Sequence, residues 1–236
     1  MVFGKRLYTA SFFLLVWMAG ERPLMLLTTL TAPPQQQSAL FQPRVAPASV
    51  SVYPPREDDR FVGGSTDNSI VVIAYLDFGC AECAKQYEAL RGLYVGLDGQ
   101  VSVIYRHFPA AMSPHDAAHA AECMGEQLGQ DGFDRFADIV FMNQKALFDL
   151  ADPFPQLAET VGANRGVFAL CMESQRHAAR IKQHVAEASE QASAAPLLIF
   201  LNVSSVQAAV FRGLHSLDYL KQVFQMMQDT TMPAKR

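Results

Sequence analysis

The stretch IVVIAYLDFGCAECAKQYEAL, residues 70–90, decides the fold of this chain. Its apolar, β-branched beginning predicts a buried strand, and that strand pattern stops at Asp77. A helical pattern follows at once, because apolar side chains then recur at i, i+4, i+7 and i+11 from Cys83. The stretch therefore predicts a strand that runs directly into a helix, with Cys80 in the first helical turn and Cys83 on the inward-facing stripe.

Cys80 and Cys83 form a Cys-x-x-Cys motif at the start of this helix. The unpaired amides and the macrodipole at a helix N-terminus favour a thiolate there, so Cys80 is the predicted nucleophile and Cys83 the resolving thiol. A Cys-x-x-Cys beside a strand and a helix is typical of thioredoxin-type redox motifs. The alternatives are a structural disulfide or half of a zinc site, although the sequence contains no second Cys-x-x-Cys to complete the latter.

The composition is typical of an ordered globular protein. Of the 236 residues, 50% are hydrophobic and 18% are charged, so the chain can bury one good-sized core. The formal net charge is −4 and no basic patch stands out, which argues against nucleic acid as a partner.

The N-terminal region has the pattern of an export segment. Lys5 and Arg6 precede an apolar run over residues 7–20, and no clean cleavage site follows. Residues 1–32 are therefore predicted to be a signal peptide or an uncleaved membrane anchor, with a buried core helix as the remaining alternative. The Pro- and Gln-rich residues 33–57 are predicted to be a linker. The body of the protein is expected to be periplasmic or extracytoplasmic, either soluble after cleavage or anchored.

Further elements follow from periodicity and turn signals. Strands are predicted over residues 60–62, 101–107, 197–201 and 206–211, and a closing helix over residues 214–227. A helical block lies between the second core strand and the last two strands, with a glycine-containing break at residues 129–132. The helices of this block are predicted to begin at Ser113, Asn164 and Ser174, which are candidate N-caps.

Four motifs, in this order and spacing, resemble the DsbA-like thioredoxin-fold family. They are the strand ending in DFG before CAEC, HFP at residues 107–109, AAECMGEQ at residues 120–127 and AAPLLIFLN at residues 194–202. The similarity is to the subset with a second cysteine pair and covers residues 58–227. It implies an α/β thioredoxin fold over residues 58–236, with an all-helical subdomain, about residues 113–192, inserted between the second core strand and the cis-proline strand.

The resemblance also implies roles for four residues outside the Cys-x-x-Cys. Pro196 would be cis and lie against the active-site cysteines, so that the backbone of Ala195 can pair with an extended client segment. An ordinary trans proline at a strand start is the alternative. Cys123 and Cys171 would pair as a structural disulfide, and two buried free thiols are the alternative.

The active-site sequence departs from the family pattern between and before the cysteines. Ala81 and Glu82 stand where strong oxidants of the family usually carry Pro and His. The Glu82 carboxylate is expected to raise the pKa of Cys80 and make the protein a milder oxidant, while its other interpretation is a first-turn acid that complements the helix dipole. Ala74 stands where related enzymes commonly have a buried acid, and Asp77 is the candidate substitute, although strand alternation points it to the other face.

We predict an exported protein thiol:disulfide oxidoreductase that exchanges disulfides with cysteine-containing client proteins. It would be a milder oxidant than typical family members, or an isomerase or reductase, and a membrane redox partner would recycle it. No cofactor and no metal ion are expected; His115 and His119 are four residues apart on a predicted helix, but no third ligand is apparent. The alternatives are an exported copper-delivery protein that uses CAEC, and an inactive thioredoxin-like scaffold.

Overall fold

The computed structural model describes residues 52–64, 67–110 and 116–229. The predicted export segment, residues 33–51 of the predicted linker, Ser113 and His115 lie outside these described residues. None of the helices in the described part of the chain combines the length and the apolar character that a bilayer crossing requires.

The described residues form five strands and seven helices. In chain order these are β1 (Arg60–Gly63), β2 (Ile70–Leu76), α1 (Ala81–Gly96), β3 (Val101–His107), α2 (Ala117–Met142), α3 (Gln144–Phe148), α4 (Phe154–Val161), α5 (Arg165–Ser174), α6 (Ala178–Ser189), β4 (Leu197–Asn202), β5 (Gln207–Arg212) and α7 (Leu217–Asp229).

The strands form one mixed sheet in the order β1-β3-β2-β4-β5. β2 and β3 are parallel, as the crossover through α1 requires, and the other neighbouring pairs are antiparallel. Every residue of β2, β3 and β4 is buried, because helices cover both faces of the sheet. One face packs against α1, α2 and α7, and the other packs against α6.

The helical insertion, α2 to α6, lies between β3 and β4, which confirms the predicted fold class. The predicted glycine break is present, because Gly129 leaves helical geometry inside α2 with φ 70° and ψ −161°. Asn164 caps α5 as predicted, since its side chain accepts a hydrogen bond from the amide of Val167. A disulfide between Cys123 and Cys171 joins α2 to α5, with a Cα–Cα distance of 5.8 Å.

Two predicted helix starts are wrong. Ser174 is the last residue of α5 rather than the cap of the next helix, because its hydroxyl donates to the carbonyl of Cys171 at 2.8 Å. α6 begins at Ala178 instead. The closing helix begins at Leu217, three residues later than predicted, and the hydroxyl of Ser216 accepts a hydrogen bond from the amide of Tyr219 at 3.3 Å.

A buried ionic network holds the N-terminal end of the described chain against the sheet. Arg106 of β3 is fully buried and donates to Asp59 at 2.8 Å and to Glu187 of α6 at 3.1 Å. Arg106 also donates to the hydroxyl of Tyr75, which in turn donates to Glu187. Arg56, assigned to the linker by composition, donates to Glu187 at 2.5 Å. The negative charges of Asp59 and Glu187 are therefore paired with arginine side chains at positions that are buried from water.

We expect the Cys123→Ala/Cys171→Ala variant to lose about 4 kcal/mol of unfolding free energy, because the disulfide closes a loop with a sequence separation of 48. Urea unfolding of the oxidised wild type and of the variant measures this loss. The Cys80→Ser/Cys83→Ser variant is the control, since it leaves that loop closed. A loss below about 1 kcal/mol would show that the crosslink does not constrain the unfolded chain as the entropy model requires.

Candidate active site

The site is built where β2 ends and α1 begins. Cys80 is the N-cap of α1, with extended backbone geometry (φ −91°, ψ 119°), and its sulfur accepts a hydrogen bond from the amide of Cys83 at 3.1 Å. The sulfur thus takes the place of the oxygen that an N-cap serine or aspartate would supply. Cys80 is partly exposed, whereas Cys83, one turn further along, is fully buried. The Cys80 sulfur is therefore accessible to another protein, whereas the Cys83 sulfur is not.

The pKa of the Cys80 thiol is lowered from its ordinary value to about 7. The main cause is a hydrogen bond from the Cys83 side chain, and the backbone amides of Cys83 and Glu82 act in the same direction. Partial burial and the negative charge of Asp77 oppose this stabilisation. At neutral pH a large fraction of Cys80 is therefore thiolate, the form that attacks disulfides.

The Cys83 thiol has the opposite environment. Its pKa is raised far above the ordinary value, first by the hydrogen bond that it makes to Cys80 and then by burial. Cys83 therefore keeps its proton while Cys80 is ionised. The two thiols thus have opposite pKa shifts because they occupy different positions on the first turn of one helix.

Asp77, rather than Glu82, is the acid whose charge opposes the Cys80 thiolate. From the sequence, the Glu82 carboxylate was expected to raise the pKa of Cys80. That side chain is exposed, however, and the effect of Glu82 on Cys80 comes from its backbone amide, which lowers the pKa. Ala81 is likewise exposed. Asp77 is 7% exposed and accepts hydrogen bonds from the amide of Gly79 at 2.9 Å and of Ala110 at 3.0 Å. It therefore ties the active-site turn to the segment that follows β3.

The peptide bond between Ala195 and Pro196 is cis and lies beside the candidate nucleophile. The carbonyl oxygen of Ala195 is 4.0 Å from the Cys80 sulfur. Pro196 directly precedes β4, which pairs with β2, so the two segments meet because their strands are neighbours. The structure thus brings Ala195 beside Cys80, although the two residues are 115 positions apart in the sequence.

A groove of about 540 Å³ opens next to Cys80. Its lining is mostly apolar and includes Cys80, Phe108, Pro109, Ala110, Val185 and Ala195. Such a groove can hold an apolar side chain next to the partly exposed sulfur of Cys80.

Sequence reasoning missed Gln144 and the groove residue Val185. The side-chain amide of Gln144 donates to the carbonyl of Phe78 at 2.8 Å and of Cys80 at 2.9 Å, which fixes the turn from the insertion side. No local pattern marks a lone glutamine as a contact to residues more than sixty positions away. Phe108 was singled out as part of the HFP motif that resembles the family, but its place in the wall of the groove was not predicted.

The second cysteine pair and His119 lie in the insertion, whereas His115, the other predicted histidine, is outside the described residues. Among the described residues, the His, Cys, Asp and Glu side chains close enough to share a metal ion form two groups, and neither contains Cys80 or Cys83. His119 belongs to one of them together with the two disulfide cysteines, Cys123 and Cys171.

Comparisons with known proteins agree with this architecture. Residues 56–196 match a protein-family model described as Thioredoxin, and no curated protein matches the sequence significantly. The solved structure of Wolbachia pipientis alpha-DsbA1 is similar with a TM-score of 0.62 at 18% identity, over 75% of this chain and 94% of that one. Pseudomonas aeruginosa DsbA2 is similar with a TM-score of 0.58 at 19% identity, over 77% of this chain and 100% of that one. Chlamydia trachomatis DsbA is similar with a TM-score of 0.61 at 13% identity, over 79% of this chain and 100% of that one. At these identities the likeness shows the fold.

We expect the reduced protein to be alkylated by iodoacetamide at Cys80 alone, with a rate that rises with pH through a midpoint near 7. Cys83 should stay unmodified over the same range because its pKa is raised. Mass spectrometry of quenched samples between pH 5 and about 9 measures both rates. A midpoint near the ordinary cysteine value of about 8.5 would mean that the helix amides do not stabilise the thiolate.

Asp77→Asn should lower the pKa of Cys80 by roughly one unit, as removal of one charge several ångströms away does at an effective dielectric near 40. Glu82→Gln is the matched control, because it removes the same charge from the exposed neighbour. Its alkylation midpoint should stay at the wild-type value. The reverse result, a shift in Glu82→Gln and none in Asp77→Asn, would restore the assignment made from the sequence.

Proposed function

The chain belongs to the thioredoxin family, and on that premise we propose that it is a protein thiol:disulfide oxidoreductase whose redox pair is Cys80 and Cys83. The observation that carries the proposal is the position of the Cys80 sulfur. It caps a helix, is partly exposed at an apolar groove, and has a pKa lowered to about 7. A sulfur with these properties can exchange partners with sulfurs of other proteins.

As a reductase, the Cys80 thiolate attacks one sulfur of a client disulfide. The client disulfide breaks, one client thiolate leaves, and a mixed disulfide forms. Cys83 then gives up its proton and attacks the Cys80 sulfur, which releases the second client thiolate and leaves the Cys80–Cys83 disulfide. The client gains two electrons and the protein loses two. As an oxidase the same steps run in reverse, beginning with a client thiolate and the oxidised pair.

Ala195 and Pro196 would hold the client during exchange. The Ala195 carbonyl lies 4.0 Å from the Cys80 sulfur, at the edge of the groove, so a client strand paired with this backbone would present its cysteine to Cys80. The apolar walls favour clients with an apolar residue close to the reacting cysteine.

A pKa near 7 supports a milder oxidant, or a reductase or isomerase. The strongest oxidants of this type have a nucleophile pKa near 3.5, because stabilisation of their thiolate favours the reduced form. Here Asp77 and partial burial limit that stabilisation. The direction of the reaction would be set by a membrane redox partner that recycles the pair.

Export to the periplasm or another extracytoplasmic compartment belongs to the same proposal. Its support is the basic and apolar pattern of residues 1–32 together with the Cys123–Cys171 disulfide, since such crosslinks persist in oxidising compartments.

Cys83→Ser should trap a client through a disulfide to Cys80, because the resolving thiol is gone. Cys80→Ser should trap none and should reduce insulin no faster than the uncatalysed reaction. Non-reducing gels with peptide mapping identify the linked cysteine. The Cys123→Ala/Cys171→Ala variant is the matched control and should retain insulin reduction, since its missing sulfurs are not in the exchange path. A Cys83→Ser protein that is alkylated normally at Cys80 yet forms no mixed disulfide would contradict the proposal and favour the scaffold hypothesis.

A further inference from the structure

A cluster of potential metal ligands lies in the helical insertion, apart from the proposed redox pair. His119, Cys123 and Cys171 are all buried and place one ligand atom each within 4.8 Å of one another. His119 and Cys123 are four residues apart on α2 and therefore share one face, while Cys171 comes from α5. Cys171 also belongs to a second such group with Glu126 and His177, so these two side chains flank the first cluster.

The two ring nitrogens of His119 differ in their hydrogen bonding. Its Nε2 lies 3.2 Å from the carbonyl oxygen of Cys171, and a carbonyl only accepts, so Nε2 carries the proton. In the neutral ring Nδ1 then has a free lone pair, and among the described residues this buried atom has no hydrogen-bond partner. A buried polar atom without a partner is costly in an ordinary core. Metal-ligating histidines commonly donate their other ring N–H to a backbone carbonyl in this way.

The two sulfurs are bonded to each other in this structure, and only as thiolates are they strong zinc ligands. A dithiol reductant would supply two electrons to break the bond, becoming a disulfide itself and leaving two protein thiols. Two thiolates on a tetrahedral zinc ion lie about 3.7 Å apart, as follows from Zn–S distances near 2.3 Å. A Cα–Cα distance of 5.8 Å leaves that separation within reach of side-chain rotation.

We propose that His119 Nδ1, Cys123 Sγ and Cys171 Sγ form a zinc site that exists only when the Cys123–Cys171 disulfide is reduced. Glu126 and His177, whose ligand atoms lie within 4.8 Å of Cys171 Sγ and which contact each other at 2.8 Å, are the candidates for the fourth position. Zinc binding releases the two thiol protons to solvent, and no electron moves in that step. The disulfide and the zinc ion are then alternative crosslinks between α2 and α5. A chain that has not yet been oxidised would hold its insertion together with the metal.

The test uses the full chain with Cys80→Ser/Cys83→Ser, so that zinc cannot bind at the redox pair. The protein is reduced with a phosphine, which takes its oxygen from water, and is desalted without air. Zinc binding is then measured by competition with a chromogenic chelator. We expect about one Zn²⁺ per reduced chain and none per oxidised chain. Added zinc should raise the thermal unfolding midpoint of the reduced form only.

His119→Gln in the same background should weaken zinc binding by at least about 10–100-fold, the loss typical even of an outer-shell partner. His184→Gln is the matched control, because His184 is also buried but belongs to neither ligand group. Its zinc affinity should be unchanged. The oxidised forms of both variants must unfold cooperatively near the parent midpoint, which separates a lost ligand from a lost fold. Less than stoichiometric binding by the reduced chain, equal binding by the oxidised chain, or unchanged affinity in His119→Gln would each overturn the proposal.

Discussion

The backbone amides at the start of α1 stabilise negative charge on one sulfur, and the chemistry of the site depends on that interaction. Cys80 is the N-cap, so its sulfur accepts from the amide of Cys83 where an oxygen would otherwise do so. The interaction requires β2 to end and α1 to begin within four residues, with the strand buried on both faces and the helix packed through Cys83. The fold thereby converts a backbone property, the free amides of a helix N-terminus, into a lowered thiol pKa.

Several other contacts act through that sulfur. Asp77 accepts one hydrogen bond from an amide within the active-site turn and one from the segment after β3, and its charge opposes the thiolate. Gln144 holds the same turn from the insertion. The insertion therefore has two functions at once: it supplies part of the support for the active-site turn, and its α6 supplies Val185 to the groove. The Arg106 network, by anchoring α6 to the sheet through Glu187, keeps that groove wall in place.

Local patterns were enough to predict most elements, because their signals lie within a few residues. The β-branched run of β2, the glycine break in α2 and the cap at Asn164 are examples. Ser174 shows the limit of this reasoning. A serine can cap the next helix or bond back to its own, and the choice depends on where the preceding helix ends. Here α5 ends at Ser174, followed by Gln175 in a left-handed conformation. The ion pairs of the buried Arg106 could not be predicted from local patterns either, since its partners Asp59 and Glu187 lie 47 and 81 residues away in the sequence.

The sequence by itself determined that a Cys-x-x-Cys opens a helix behind a buried strand, and hence which sulfur is exposed and which is buried. Those properties follow from periodicity and from the amides at a helix start, both of which are local. Only the tertiary structure decided that Asp77 rather than Glu82 opposes the thiolate, and that Ala195 and the groove lie beside Cys80. It also decided that His119 lies next to the second cysteine pair. The physical reason is that charge–charge interactions, burial and hydrogen bonds depend on which atoms are close in space. Strand pairing and helix packing determine that closeness for residues that are far apart in the sequence.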